Sequence, residues 1–224
     1  MNQLSIVGKR IKVFIVDDHP IIRQGLTMLI NREPDMTVCG DAEDAKSTMQ
    51  AVAAAKPDIL ILDISLNGRD GLGLLKDLRT KIPDLPVLVL SMHDELLYAE
   101  RALRAGAQGY IMKQEASGKV LAALRRILGG GIYVSEKIAN RMLQGYIGAK
   151  GAGPSSIADL SDRELEVFRL IGEGLSTREI AERLGISAKT VESYQAHIKE
   201  KLSLRNAREL LQHAVQWTMG EKIA

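Results

Sequence analysis

Five residues within the first 113 positions carry acid, base or hydroxyl chemistry at positions a parallel sheet could gather. Asp17 and Asp18 follow the apolar run Ile11–Val16, and Asp63 follows Asp58–Leu62. Ser91 follows Pro86–Leu90, and Lys113 follows Gly109–Met112. Three carboxylates packed together repel one another, so they call for a hard cation. Mg²⁺ takes oxygen ligands, keeps several waters and favours sites that also receive phosphate oxygens. Asp18 and Asp63 are its natural ligands, with Asp17 acting through water. A carboxylate so placed can attack a phosphoryl group and give an aspartyl phosphate. The metal and Lys113 would offset the charge on the transferred group. The Ser91 hydroxyl can donate to a phosphoryl oxygen.

Positioning these groups requires alternating strands and helices. Ile11–Val16, Met36–Gly40, Asp58–Leu62, Pro86–Leu90 and Gly109–Met112 are short, β-branched or aliphatic runs that read as buried strands. Helical segments lie between and after them: Ile21–Asn31 opened by Pro20, Asp44–Ala55, Asp70–Lys81, Asp94–Ala105 and Ser117–Leu128. Five such pairs predict a parallel sheet covered on both faces, in the flavodoxin-like order 2-1-3-4-5. Ligands of such sheets bind outside the carboxyl ends of the strands. Strands one, three, four and five are then neighbours, and the five residues share one rim. Met28, Met49 and Met92 read as core filler, and His19 and His93 as structural residues without a chemical role.

The alternation stops at Gly129–Gly131, a helix stop rather than a phosphate loop, because no strand–loop–helix unit with Lys-Ser/Thr surrounds it. A helix over Glu136–Leu143 and the Gly/Ala/Ser/Pro stretch 148–156 make residues 129–156 a linker. Beyond it only helices are expected. Ser161-Asp-Arg-Glu164 and Ser176-Thr-Arg-Glu179 have the form of capping boxes. A third helix runs from Ser187 to Leu202 and a fourth over Ala207–Trp217. The second and third, joined through Gly185, read as a helix-turn-helix whose second helix enters the major groove. Val191, Ile198 and Leu202 form its buried stripe; Lys189, Glu192, Ser193, Ala196 and Lys199 lie opposite. Lys189, Lys199, Lys201, Arg205 and Arg208 put cations where phosphates would pass.

Composition limits the alternatives. The chain has 224 residues, enough for two small domains, and its formal charge of +2 makes any basic footprint local. The single cysteine, Cys39, excludes an intrachain disulfide and a cysteine-based zinc site, and suits a reducing cytoplasm. No apolar run approaches the roughly 18 residues of a membrane span.

The stretches IKVFIVDDHPIIRQGL, LILDISLNGRDGLGLL, VLVLSMHD and GAQGYIMKQ resemble receiver domains of bacterial response regulators, over residues 10–128. That resemblance implies Asp63 as phosphoacceptor, with Asp17 and Asp18 as the acidic pair holding Mg²⁺. It adds the backbone carbonyl of Ser65 as a metal ligand, Ser91 and Tyr110 as the switch hydroxyl and aromatic, and Lys113 as the family lysine. Two positions depart from the pattern. Asn67 stands where proline is usual, which predicts a more flexible loop beside Asp63. Gln114 stands where proline or aspartate is common, which argues against a cis peptide there.

Residues 160–215, LSDRELEVFRLIGEGLSTREIAERLGISAKTVESYQAHIKEKLSLRNARELLQHAV, resemble the LuxR-type DNA-binding domain, which we bound at 157–222. The pairing resembles the NarL/FixJ family. It implies that Glu192, Ser193 and Ala196 read bases and that Lys189, Thr190 and Lys199 lie near phosphates, with Lys201 among the DNA-binding cations. Many relatives carry a basic residue at position 192; a glutamate suits a cytosine amino group. The other reading of Glu192 is an exposed residue paired with Lys189 or Lys199. The implied partners are a sensor histidine kinase, DNA on two half-sites, a second copy of the chain upon phosphorylation, and RNA polymerase. Phosphorylation is expected to relieve inhibition of the second domain by the first. A hydrolase of the haloacid dehalogenase type would need an acid two residues past its nucleophile, where this chain has Ser65, so no enzyme is expected. A regulator sensing an apolar ligand would need an apolar pocket rather than an acidic rim.

Overall fold

A computed structural model describes residues 10–66, 71–147 and 157–223. The chain divides into two compact units, residues 1–139 and 140–224. The first holds strands β1 (Ile11–Val16), β2 (Met36–Ala42), β3 (Ile59–Asp63), β4 (Val87–Ser91) and β5 (Gly109–Met112). Helices α1 (Pro20–Asn31), α2 (Ala45–Ala55), α3 (Gly71–Lys81), α4 (Glu95–Arg104) and α5 (Ala116–Leu128) connect and follow them. All pairs are parallel, in the order β2-β1-β3-β4-β5.

Strand alternation explains the double cover. Val13, Ile15, Ile59, Ile61, Leu88, Leu90 and Ile111 form one apolar layer with Leu26 and Ile30 of α1 and Val120, Leu124 and Ile127 of α5. The alternate residues Phe14, Leu60, Leu62 and Val89 are equally buried. A continuous aliphatic run is what a strand needs when helices lie on both sides. Helix starts follow local chemistry. Pro20 occupies the first turn of α1, and the carboxylates of Asp44 and Asp94 cap α2 and α4 by accepting from the amides of Ser47 and Leu96.

Several details differ from the sequence reading. Asp63 and Ser91 are the last residues of their strands rather than the first beyond them. Asp63 pairs in register with Leu90, so the acidic rim begins inside the sheet. Met28 and Met92 are 63% and 54% exposed and fill no core. After α5 the chain returns to the edge of the sheet. Tyr133 forms a parallel bridge with Gly109; Tyr133 N–H donates to Gln108 O and Tyr110 N–H to Tyr133 O, both at 2.9 Å. Gly109 leaves room for this: a Cβ there would lie 2.9 Å from the Tyr133 carbonyl oxygen. Helix α6 spans Glu136–Ile147, with Ile138 buried near its start. Asn67, Asp70 and the 148–156 stretch lie outside the described residues.

The second unit contains α7 (Asp162–Gly172), α8 (Thr177–Leu184), α9 (Ala188–Lys201) and α10 (Ala207–Ile223). Both expected capping boxes form, at Ser161/Glu164 and Ser176/Glu179. Gly185 ends α8 in the left-handed conformation, φ 64°, which lets the chain turn at once into α9. Helices α7 and α10 approach so closely at Gly172 that a Cβ would collide with Thr218 Oγ1 and the Ala214 carbonyl. Phe168 and Trp217 pack beside this crossing with ring centroids 5.6 Å apart. No helix among the described residues is long and apolar enough to cross a membrane.

Candidate phosphoryl site and reading helix

The rim expected from strand order is present. Asp17 and Asp18 leave β1, Asp63 ends β3, Ser91 ends β4, and Lys113 begins a short 3-10 turn directly after β5. Lys113 Nζ lies 2.6 Å from Asp63 Oδ2 and 2.8 Å from Asp17 Oδ2. The other oxygens of these carboxylates are fixed by backbone. Ser65 N–H donates to Asp63 Oδ1 at 2.8 Å, and His19 N–H donates to Asp17 Oδ1 at 2.8 Å. Arg23 holds the Asp17 carbonyl at 2.6 Å while its Nε binds Asp41 at 2.8 Å. At Gly71, where α3 begins, an added Cβ would lie 2.6 Å from the Ile64 carbonyl oxygen. The helix start therefore rests on the backbone next to Asp63, and only glycine permits that approach. Among the described residues every peptide bond is trans, that of Gln114 included.

Burial sets the electrostatics. Asp17, Asp63 and Ser91 are buried polar residues. Burial pushes the Asp63 carboxyl above its usual range, with Lys113 acting in the opposite direction. Burial disfavours charge on Lys113, but Asp63 and Asp17 outweigh it and the ammonium holds its proton more tightly than usual. One lysine thus faces two carboxylates, with a third beside them. Oxygen atoms of Asp17, Asp18 and Asp63, with a ring nitrogen of His19, all lie within 4.8 Å of one another. This all but oxygen-only cluster, with an excess of negative charge, is compatible with a hard divalent cation.

Ser91 and Tyr110, the expected switch pair, converge on one loop residue. Tyr110 is only 2% exposed. Its hydroxyl donates to the His93 carbonyl at 2.9 Å, and burial raises its pKa. Ser91 Oγ accepts from the His93 amide at 3.1 Å. Both switch groups therefore hold the same loop residue, whose ring stacks on Tyr98 of α4 with centroids 4.5 Å apart. His93 thus links Ser91 and Tyr110 to α4. The Ser65 hydroxyl oxygen is buried without a hydrogen-bond partner among the described residues.

His19 is the residue the sequence reading missed. Its Nδ1 lies 2.6 Å from Asp18 Oδ1 and 3.2 Å from Asp17 Oδ1. Adjacency to the acidic pair was the available signal, but adjacency alone does not say which way a ring points.

In the second unit, Val191 and Ile198 of α9 are buried and Leu202 half-buried, as the stripe requires. Lys189, Glu192, Ser193 and Ala196 are exposed together on the opposite face. Among the described residues Glu192 forms no ion pair, with Lys189, Lys199 or any other cation. Thr190 is half-buried with its hydroxyl 2.8 Å from that of Ser187, and Lys199 is half-buried. Gln195 Nε2 donates to Thr177 Oγ1 at 3.2 Å, fixing α9 against α8.

Lys201 is used elsewhere. Its Nζ lies 2.6 Å from Glu164 Oε2 and 3.4 Å from the Asp159 carbonyl. Glu164 is buried and also closes the α7 capping box. Burial works against its charge, yet Lys201 and Ser161 keep its pKa below the usual carboxylate value. The predicted basic cluster is therefore divided: Lys201 neutralises an internal carboxylate, Arg205 pairs with Glu209 at 3.0 Å, and Lys189 stays exposed on the reading face.

Comparison with known proteins assigns each unit. Residues 13–125 match the response regulator receiver domain, and residues 158–214 match the bacterial regulatory proteins of the luxR family. The oxygen regulatory protein NreC of Staphylococcus carnosus (strain TM300) is 36% identical over 210 residues, covering 92% of this chain and 97% of NreC. NreC of Staphylococcus haemolyticus (strain JCSC1435) has the same identity and coverage. Among solved structures, RcsB from Salmonella enterica serovar Typhimurium bound to promoter rprA with the phosphomimetic BeF3- has a TM-score of 0.68. It is 28% identical and covers 92% of this chain and 98% of that one. A structure of two RcsB dimers bound to two parallel DNAs has a TM-score of 0.65 at 27% identity, with the same coverage.

Proposed function

The chain belongs to the NarL/FixJ family of two-component response regulators, which join a receiver domain to a LuxR-type DNA-binding domain; from that premise we propose that phosphorylation of Asp63 controls its dimerisation and its binding to DNA. The observation that carries the proposal is the buried pairing of Asp63 with Lys113 at the rim where Asp17 and Asp18 also converge.

Asp18, Asp63 and the Ser65 carbonyl would hold Mg²⁺, with Asp17 acting through water. The ion supplies positive charge to the phosphoryl oxygens and to the carboxylates when bound. Asp63 is the nucleophile: its carboxylate oxygen bonds to phosphorus as the N–P bond of the kinase's phosphohistidine breaks, the imidazole leaves, and Asp63 ends as an aspartyl phosphate. Lys113 Nζ, already 2.6 Å from Asp63 Oδ2, moves with the new charge onto a phosphoryl oxygen. Ser91 then turns its hydroxyl from the His93 amide toward the phosphoryl group. That releases one of the two bonds on His93, and Tyr110 keeps the other. The loop leading into α4 is thereby rearranged, and with it a face through which two copies or two domains can meet.

The receiver function is set within residues 10–128, the DNA-binding function within 157–222, and the linker between them. The phosphate donor is a sensor histidine kinase. The reading helix takes promoter DNA as a dimer on two half-sites, in line with RcsB, and RNA polymerase is a further contact. Glu192, Ser193 and Ala196 face bases, while Lys189, Thr190 and Lys199 face phosphates. Lys201 contributes to DNA binding through the placement of α9 against Glu164. The protein works in the cytoplasm.

Labelling with acetyl phosphate tests the proposal. The label requires Mg²⁺, is hydroxylamine-sensitive and disappears in Asp63→Ala; Lys113→Ala keeps the label but weakens the response. A hydroxylamine-resistant label, or one undiminished in Asp63→Ala, contradicts it.

A further inference from the structure

Beside the Lys113 ammonium, the carboxylate cluster has one imidazole nitrogen in it, and that nitrogen changes which ions the site can take. His19 is the residue before α1, in an extended conformation with φ −91° and ψ 109°. Its own amide is tied to Asp17 Oδ1 at 2.8 Å, so the backbone turns back and carries the ring over the acidic pocket. Nδ1 then stands 2.6 Å from Asp18 Oδ1 and 3.2 Å from Asp17 Oδ1. One donor atom from each of Asp17, Asp18, His19 and Asp63 falls within 4.8 Å of the others. Ligands on opposite sides of an octahedral ion with bonds of about 2.1 Å are about 4.2 Å apart, so small side-chain movements bring this set to bonding distance.

The freedom to make those movements is unequal. Asp17 and Asp63 are buried and held by backbone amides and Lys113. The His19 side chain is 59% exposed and stands at the mouth, where its ring can pivot without disturbing the core. Imidazole is a poor partner for Mg²⁺, which prefers oxygen, and a better one for divalent transition ions, of which Mn²⁺ is the least nitrogen-seeking. Neutral imidazole offers one nitrogen lone pair to a metal while the other nitrogen keeps its proton.

We propose that His19 is a nitrogen donor to the acidic site, so that the receiver binds divalent transition ions such as Mn²⁺ through the imidazole and more tightly than it binds Mg²⁺. The inference rests on the reading of Asp17, Asp18 and Asp63 as a metal site and adds a selectivity to it. Ions of both classes would support the same carboxylate chemistry, but the one with nitrogen affinity would occupy the site at lower concentration.

The test uses the full chain with Mn²⁺ as probe. Pulsed electron paramagnetic resonance of the bound ion reads nitrogen in its first shell. The expected spectrum shows nitrogen coupling, which changes isotope when histidine alone is ¹⁵N-labelled. Of the four histidines only His19 belongs to the described acidic cluster, so the label identifies it. In His19→Gln the coupling disappears, and the ratio of Mn²⁺ to Mg²⁺ affinity falls by about tenfold or more, the size of effect typical of losing metal-supporting groups. Labelled wild-type protein gives the answer without the variant, should His19→Gln fold poorly. Mn²⁺ bound with no histidine coupling, or a ratio unchanged in a folded His19→Gln, overturns this inference and leaves the oxygen site standing. Failure of the wild type to bind either ion overturns both.

Discussion

Asp63 and Lys113 are 50 residues apart in the chain and 2.6 Å apart in the fold, whereas Lys189, Glu192, Ser193 and Ala196 lie within about two turns of one helix. The first site is assembled by topology from the ends of four strands, and its groups are buried, paired and preorganised. The second is a local surface whose side chains stand exposed, with only the Ser193 hydroxyl bonded back to its own helix, at the Lys189 carbonyl. Chemistry on a phosphoryl group needs charges held in place before the reaction. Reading DNA needs groups free to meet a partner, on a helix held by its opposite face. The two units therefore spend charge differently. The receiver confines like charges together, and the DNA-binding unit neutralises the one deeply buried carboxylate among its described residues, Glu164, with Lys201.

That contrast predicts opposite responses to removing a charge. Lys201→Ala leaves the buried Glu164 carboxylate without its cation. Because Lys201 is itself 40% exposed, the expected loss of stability is discounted to about 1–3 kcal/mol. Lys199→Ala leaves stability nearly unchanged and weakens binding to all DNA sequences alike, with a shallower salt dependence. Chemical denaturation of both variants beside salt titrations of binding separates the roles. Equal stability loss in the two would erase the distinction drawn here between them.

In the receiver, removing a charge should do the reverse. Asp63→Asn, in metal-free protein at neutral pH, is expected to raise stability, since it relieves an ionised carboxylate that burial disfavours. Lower stability in that variant would show that the Lys113 pair outweighs the burial. The pH dependence follows the same division. The Asp63 pKa is raised, so its penalty is absent below the ordinary carboxylate value and sets in as pH rises through the raised value. The Glu164 pKa is lowered, so its contribution is present above the ordinary value and is lost as pH falls through the lowered one. Acid titration should therefore shrink the gap between wild type and Asp63→Asn, and shrink the gap between wild type and Glu164→Gln from the opposite side. Melting curves of each pair from neutral pH to acid check both signs.

A finer effect belongs to the reading face. Glu192→Ala should change preference at one base position by about 1–3 kcal/mol, with little change in salt dependence. Selection from a randomised half-site measures it. An unchanged preference would reduce Glu192 to an exposed helix residue.

The strands were legible because each is a compact aliphatic run followed by a chemically distinct residue, and the convergence of Asp17, Asp63 and Lys113 follows from strand order alone. Where the reading went astray, the missing information was direction. Lys199 and Lys201 look like one basic cluster in the sequence. Two helix positions rotate by about 200°, however, so one can point elsewhere while the other meets Glu164. The ring of His19 and the exposed faces of Met28 and Met92 are likewise matters of orientation that no spacing records. Tyr133 was unreadable for another reason. A single residue bridging to β5 between a glycine turn and a helix has no strand pattern of its own, yet its amide and carbonyl are satisfied by the strand that carries Tyr110.

The central claim is that the buried site governs the exposed one. Its most direct test is the DNA affinity of the full chain, at fixed salt and protein concentration, with and without acetyl phosphate and Mg²⁺, in wild type and in Asp63→Ala. The account predicts tighter binding of phosphorylated wild type, by the five- to 150-fold of roughly 1–3 kcal/mol of coupling, and no response at all in Asp63→Ala. Equal affinity in phosphorylated and unmodified wild type, or the same gain in Asp63→Ala, would contradict it.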